Sequence, residues 1–167
     1  METINSVFTQ LACTNRALLE EHLRSAREAL ESISSHSQLL DDASFERKQK
    51  SYTRNLIFSD DQISVWALIW APDSSTPIHD HHCSCCFTVL RGSILETWYE
   101  SIGNGKARQT GQTIRAPGYV ASMMPSGPNI HQMQNLGTEE AISIHIYGYD
   151  HRLHLSSVLK QYERIDN

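Results

Sequence analysis

Apolar residues open the chain at Ile4, Val7, Phe8 and Leu11, the i, i+3, i+4, i+7 spacing of one helical face, and after a break near Thr14 the stripe resumes at Leu19, Leu23, Ala26, Leu30 and Ile33. Two N-terminal α-helices are predicted. Glu20, Arg24, Arg27, Glu28 and Glu31 fall on the solvated face of the second. From Tyr52 the pattern changes to short β-branched and aromatic runs interrupted by Pro, Gly, Asn and Asp. These runs predict strands over Asn55–Phe58, Gln62–Trp70, Pro77–His81, Cys86–Arg91, Ile94–Tyr99, Gln109–Ile114, Val120–Met123, Gln132–Asn135 and Ala141–Tyr147. Asn104-Gly105 is a hairpin dipeptide, because both central residues of a type I′ turn need positive φ. So many strands in so short a stretch cannot protect their edges as one open twisted sheet. The expected architecture is therefore mostly β, a closed or sandwich-like barrel preceded by helices. A single domain is expected over residues 1–167, with a helical region at 1–50 packed on a barrel at 51–149 and a C-terminal tail at 150–167.

Composition narrows the partners. Fourteen basic and nineteen acidic side chains leave a net charge of -5, and no Lys/Arg cluster is available to track phosphates, which argues against nucleic acid. The most apolar stretch, Ile63 to Trp70, falls far short of the roughly 18 residues that span a bilayer as a helix, so no membrane segment is expected. The start, Met1-Glu2-Thr3-Ile4-Asn5-Ser6, lacks the positive patch and apolar run of a secretory signal. A cytoplasmic monomer with reduced thiols is the expectation. Three of the four cysteines, Cys83, Cys85 and Cys86, nevertheless crowd beside His79, His81 and His82, and that crowding asks for chemistry.

His79-Asp80-His81 is an H-x-H pair, and residues two apart in a strand point to one face, so both imidazoles can reach one metal. His131, about fifty residues on, completes a site assembled across a barrel. Thr76-Pro77-Ile78-His79-Asp80-His81, then Cys85 and Arg91-Gly92, then Ile130-His131, resemble the two metal motifs of the cupin superfamily, with Cys85 where that pattern has a glutamate ligand. Three histidines without a carboxylate, a cysteine at the glutamate position and the strand Ser143-Ile144-His145-Ile146-Tyr147 are similar to the thiol dioxygenases, above all the cysteine dioxygenase family. Tyr52-Thr53-Arg54-Asn55-Leu56 resembles the family segment whose arginine binds the substrate carboxylate, so the likeness runs from about Tyr52 to Tyr149.

The resemblance implies a cupin-type, jelly-roll-like β-barrel that holds Fe(II) on His79, His81 and His131 and converts L-cysteine and O2 to cysteine sulfinate. Three neutral imidazoles would leave Fe(II) its full double charge and three open positions on one face, where a thiolate is welcome. Arg54 offers a planar, permanent charge suited to a carboxylate, and Tyr52 is a further pocket residue. Ser143, His145 and Tyr147 share one strand face, so Ser143 can orient His145 and His145 can hold the Tyr147 hydroxyl toward the metal. The resemblance also implies a thioether between a cysteine and Tyr147. Counting back from Gly92 selects Cys85, and counting forward from His81 selects Cys86, the second choice.

Other readings stay open. The thiol could be 3-mercaptopropionate or cysteamine, although related mercaptopropionate enzymes carry glutamine in place of Arg54, and cysteamine has no carboxylate. A zinc-holding or thiol-sensing cupin without catalysis is the reading from another class, since thiolate and imidazole also suit Zn(II). His82 is expected in a loop or at the surface, Cys13 as a small buried apolar residue, and Trp66, Trp70, Phe87 and Trp98 as core, Trp70 with a share in a pocket wall. His151 and His154, in the tail, are expected at the surface.

Overall fold

The structure, a computed structural model, describes residues 4–36 and 44–165; the remaining parts of the predicted 1–50 and 150–167 segments lie outside the described residues. A single helix, α1 (Ile4–Ser35), stands where two were expected. The predicted break does not occur because the hydroxyls of Thr9 and Thr14 donate to the carbonyls four residues back, at 2.9 and 3.0 Å, and so compete for nothing outside the helix. Only the second half of α1 is packed, with Ala26 and Leu30 buried. Ile4, Val7, Phe8, Leu11 and also Cys13, which was expected in the core, are exposed. Arg27, expected on the solvated face, instead donates to the Val120 carbonyl and the Ser122 hydroxyl and ties the helix to the barrel.

Ten strands follow: β1 (Tyr52–Ser59), β2 (Ser64–Trp70), β3 (Ile78–His81), β4 (Cys85–Arg91), β5 (Ile94–Gly103), β6 (Lys106–Arg115), β7 (Val120–Met123), β8 (Ile130–Gln134), β9 (Ala141–Tyr147) and β10 (Val158–Ile165). One sheet runs β1-β2-β9-β4-β7, and the other five close on themselves in the order β10-β3-β8-β5-β6. Closure depends on β10, which pairs antiparallel with β3 and parallel with β6. The predicted tail therefore supplies the tenth strand. Its sequence, Val158-Leu159-Lys160-Gln161-Tyr162-Glu163-Arg164-Ile165, is too polar to read as a strand on its own. The hairpin between β5 and β6 turns at Asn104 and Gly105, both at positive φ.

The middle strands of the first sheet, β2, β9 and β4, are buried on both faces. Its outer face packs Val65, Ala67, Ile69, Cys86, Ile142, Ile144 and Ile146 under Ala26 and Leu30 of α1. Its inner face contributes Leu68, Trp70, Phe87 and Val89 to a second apolar layer. No helix among the described residues is long and apolar enough to cross a membrane.

Candidate metal centre and its pocket

Strand alternation turns His79 and His81 of β3 to the same side, and β8 sets His131 directly opposite His79 in the register. All three rings are buried, with centroids 4.8, 4.8 and 5.2 Å apart. One ring nitrogen from each lies within 4.8 Å of the others, and no other group of three or more His, Cys, Asp or Glu side chains converges in this way among the described residues. The Nε2 atoms of His81 and His131 face each other at 3.1 Å. Two neutral imidazole nitrogens turned to one point can share a single proton at most, whereas one divalent cation would satisfy all three lone pairs. The donor set thus fits a metal.

Groups behind the ligands set their tautomers. His79 Nδ1 lies 2.9 Å from the Pro77 carbonyl, which can only accept, so Nδ1 carries the proton and Nε2 is left with its lone pair toward the centre. His131 Nδ1 stands 2.8 Å from Oε1 of Glu96, whose Oε2 takes the Arg115 Nε–H at 2.7 Å. Burial would push the Glu96 carboxyl up, but the His131 hydrogen bond and the charges of His131 and Arg115 outweigh it and hold the group below its ordinary value. The sequence reading missed both Glu96 and Arg115. A signal existed: Glu96 shares the alternate face of Ile94, inside a strand whose Ile94 is fully buried. Burial, then the neighbouring His131, lowers His79 to about 4, and burial followed by His131, His79 and His145 takes His81 well below its ordinary value.

The inner face of β9 carries Ser143, His145 and Tyr147, all buried. Ser143 Oγ is 2.9 Å from His145 Nε2, and His145 Nδ1 is 3.3 Å from the Tyr147 hydroxyl. The ring of His145 stacks on Phe87 at 5.0 Å. Burial depresses His145 to about 3 and raises Tyr147 well above its ordinary value, so both are neutral. Trp70, read from sequence as core and pocket wall, also donates its indole N–H to Ser143 Oγ at 2.8 Å.

Cys85 pairs with Tyr147 across β4 and β9, and the two side chains pack in one cluster. Cys86 turns to the opposite face, into the apolar layer under α1. Cys83 packs with Cys85, Tyr147 and Tyr149. Burial holds all three thiols protonated, pushing Cys83 up to about 12, Cys86 to about 11 and Cys85 well above its ordinary value.

Arg54 of β1 lies 4.3 Å over the Trp66 ring and donates from Nη2 to the Tyr149 hydroxyl at 3.1 Å, while its buried Nε has no acceptor among the described residues. Tyr52 stacks on Trp70 at 5.0 Å. The three histidines, Tyr52, Arg54, Cys85, His145 and Tyr147 all line one cavity of ≈ 50 Å³, which Ser156, Ser157 and Val158 also border. That volume admits a molecule of a few heavy atoms. Arg54 is the one permanent charge among the lining residues, and none of them is a carboxylate. His82 lies in the loop between β3 and β4, as expected, half-buried and 3.0 Å from the Ser156 carbonyl. His151 is likewise half-buried and packs edge-on against Trp66, whereas His154 is exposed. Trp66 and Trp98, read as core, are both only partly buried.

Comparison with known proteins agrees with this geometry. The family described as cysteine dioxygenase type I matches residues 6–152. Auxin-binding protein 1 of Arabidopsis thaliana is 35% identical over 80 residues, which is 47% of this chain and 38% of that protein, so the chain spans well under half of that relative. An uncharacterized protein with a double-stranded β-helix domain from Klebsiella pneumoniae superposes with a TM-score of 0.53 at 18% identity, over 73% of this chain and 88% of that one. The Cnp3 cupin domain of Schizosaccharomyces pombe gives 0.51 at 13% identity, over 70% and 75%. At such identities these two likenesses establish the fold, a cupin double-stranded β-helix.

Two expectations follow from the centre. Glu96→Gln keeps the shape of the side chain but removes the charge behind His131, and metal affinity should fall by about 10- to 100-fold in a chelator-competition titration. Unchanged affinity would remove Glu96 from the centre. The second concerns pH. His79 and His145 have folded values of about 4 and about 3, below the ordinary 6.5 of an unfolded histidine. Between those limits the unfolded chain binds more protons than the folded one, so stability falls as pH falls. The urea midpoint of metal-free protein should decline from about pH 6.5 downward, and a flat profile between 6.5 and 4 would contradict the burial of neutral imidazoles.

Proposed function

Because this chain belongs to the cysteine dioxygenase type I family, whose members are thiol dioxygenases with a three-histidine metal site, we propose that it uses Fe(II) on His79, His81 and His131 to oxidise L-cysteine with O2 to cysteine sulfinate. The observation that carries the choice of substrate is Arg54. Among the described residues it is the one permanent charge lining a cavity with no carboxylate of its own, and its buried Nε–H lacks an acceptor. A substrate carboxylate would supply that acceptor and a bidentate partner. Fe(II) would supply the redox chemistry that joins both atoms of dioxygen to the substrate sulfur.

The chain's own residues do the rest. Arg54 orients the carboxylate end, with Tyr52 and the Trp70 wall limiting how far the substrate can tilt. His145, held by Ser143, fixes the Tyr147 hydroxyl beside the reacting atoms, where it can donate to an anionic oxygen. The small volume and burial exclude bulk water, which strengthens each of these contacts. Cys85 stands next to Tyr147, and we infer that the pair forms a thioether during turnover. The thiol loses its S–H hydrogen and the phenol ring one C–H hydrogen as the S–C bond forms, and dioxygen accepts the two electrons and two protons. The position of Cys86 on the opposite face, under α1, favours Cys85 over it as the sulfur partner.

Loss of a buried charge-assisted pair costs roughly 2–5 kcal/mol, so Arg54→Ala should lower kcat/KM for cysteine by about 30-fold or more, with much less effect on cysteamine. Assays of iron-loaded protein with a panel of thiols and mass detection of each sulfinate check this. Faster oxidation of 3-mercaptopropionate than of cysteine by the unaltered protein would defeat the substrate assignment. After many turnovers the intact mass should drop by two hydrogens, and peptide mapping should find Cys85 joined to Tyr147. A cross-linked peptide that survives Cys85→Ser but disappears in Cys86→Ser would refute the pairing.

A further inference from the structure

The chain Trp70–Ser143–His145–Tyr147 runs from the pocket wall to the cavity without a gap, and its end group decides its direction. An indole N–H donates and cannot accept. Trp70 therefore occupies a lone pair of Ser143 Oγ at 2.8 Å and offers the serine proton nothing in return. Ser143 is fully buried, and among the described residues its hydroxyl has just one other partner, His145 Nε2 at 2.9 Å. Two directions satisfy His145, but one satisfies Ser143. If Ser143 accepted from both Trp70 and His145, its own proton would be stranded in the interior, at the cost of an unpaired buried donor.

We propose that Trp70 is a positioning residue that orients this whole chain, so that Ser143 donates to His145 Nε2, His145 donates from Nδ1 to the Tyr147 oxygen, and the Tyr147 proton is left free for the cavity. His145 is neutral and carries one ring proton, so fixing Nε2 as the acceptor fixes that proton on Nδ1. Tyr147 Oη then accepts at 3.3 Å and turns its O–H toward the space it shares with the metal ligands, Cys85 and Ser157. The opposite polarity would point the tyrosine proton back at His145 and present only a lone pair to the cavity. What the site gains from Trp70 is thus a hydrogen-bond donor of fixed direction, matched to an anionic oxygen.

The inference deepens the dioxygenase reading of the same site, and its test reads something other than turnover. Full-length protein labelled with 15N and loaded with Zn(II), a diamagnetic occupant of the three-histidine site, is examined by long-range 1H–15N correlation of the histidine rings. His145 should show a protonated Nδ1 and a bare Nε2. Trp70→Phe keeps the aromatic stack on Tyr52 but loses the N–H and leaves a water-sized gap, into which Ser143 can turn its proton, so both His145 tautomers should appear. Ser143→Ala cuts the same chain one step later, should mix the tautomers too, and carries the test if Trp70→Phe does not fold. In iron-loaded protein Trp70→Phe should lower kcat by about tenfold while KM for cysteine stays nearly constant. A protonated Nε2 in the unaltered protein, or an unchanged tautomer in every variant that folds, would overturn the proposal. A protonated Nδ1 in a protein that oxidises no thiol would instead leave the proposal standing and remove the dioxygenase reading.

Discussion

A polar side chain sealed inside this barrel has to find its partner within the protein, and much of the structure answers to that demand. Strand β9 states the problem most clearly: Ala141-Ile142-Ser143-Ile144-His145-Ile146-Tyr147 is buried from end to end. In a sheet with one wet face, alternation would send the hydroxyl, the imidazole and the phenol out to water. Here α1 covers the outer face, where Ile142, Ile144 and Ile146 pack beneath Ala26 and Leu30, and the polar set points inward. Each inward group left unpaired would cost about 1–3 kcal/mol. Trp70 and Phe87 are consequently partners of the site as much as members of the core, one through its N–H and one through its ring.

The same demand shapes the electrostatics. Burial holds the imidazoles of His79 and His81 neutral, and the pair behind the third ligand, Glu96 with Arg115, sums to no net charge. Glu96 acts through His131: by accepting a hydrogen bond from Nδ1 it strengthens the Nε2 lone pair toward a cation without touching that cation. A carboxylate ligand in the glutamate position would have cancelled one unit of metal charge, whereas Cys85, protonated by burial and turned to Tyr147, cancels none. The positive charge of a bound metal would then be kept for the molecule in the cavity, and Arg54 adds a second positive group to the lining.

What was legible in the sequence was legible because it was local. His79 and His81 share a face through a period of two, Ser143, His145 and Tyr147 do the same, and Asn104-Gly105 announces its own turn. Glu96 and Arg115 were harder to see. They lie nineteen positions apart and meet only because β5 and β6 pair, so neither shows its role until the register is known. Trp70 was visible as an apolar wall, but its hydrogen bond spans 73 positions to β9 and has no sequence spacing to reveal it. The continuous α1 was misread for a different reason: a threonine that breaks an apolar stripe can still satisfy its hydroxyl inside a helix, as Thr14 does.

The last strand shows how tightly the centre and the fold are joined. β10 is polar along most of its length and would be a poor strand alone, yet it closes the second sheet against β3 and β6. Part of what holds it is Asp80, the residue between the two histidines. Because alternation turns Asp80 away from His79 and His81, its carboxylate takes the Lys160 amide and the Tyr162 hydroxyl, both at 2.7 Å, on β10. The register sets Val158 opposite His81 and Gln161 opposite His79, and the approach to β10 brings Ser156 and Ser157 to the edge of the cavity. One tripeptide therefore works on both faces of β3, offering two imidazoles inward and one carboxylate outward. Separating β10 from Asp80 would open the barrel on the very strand that carries two of the three ligands, so metal binding and barrel closure each stabilise the other.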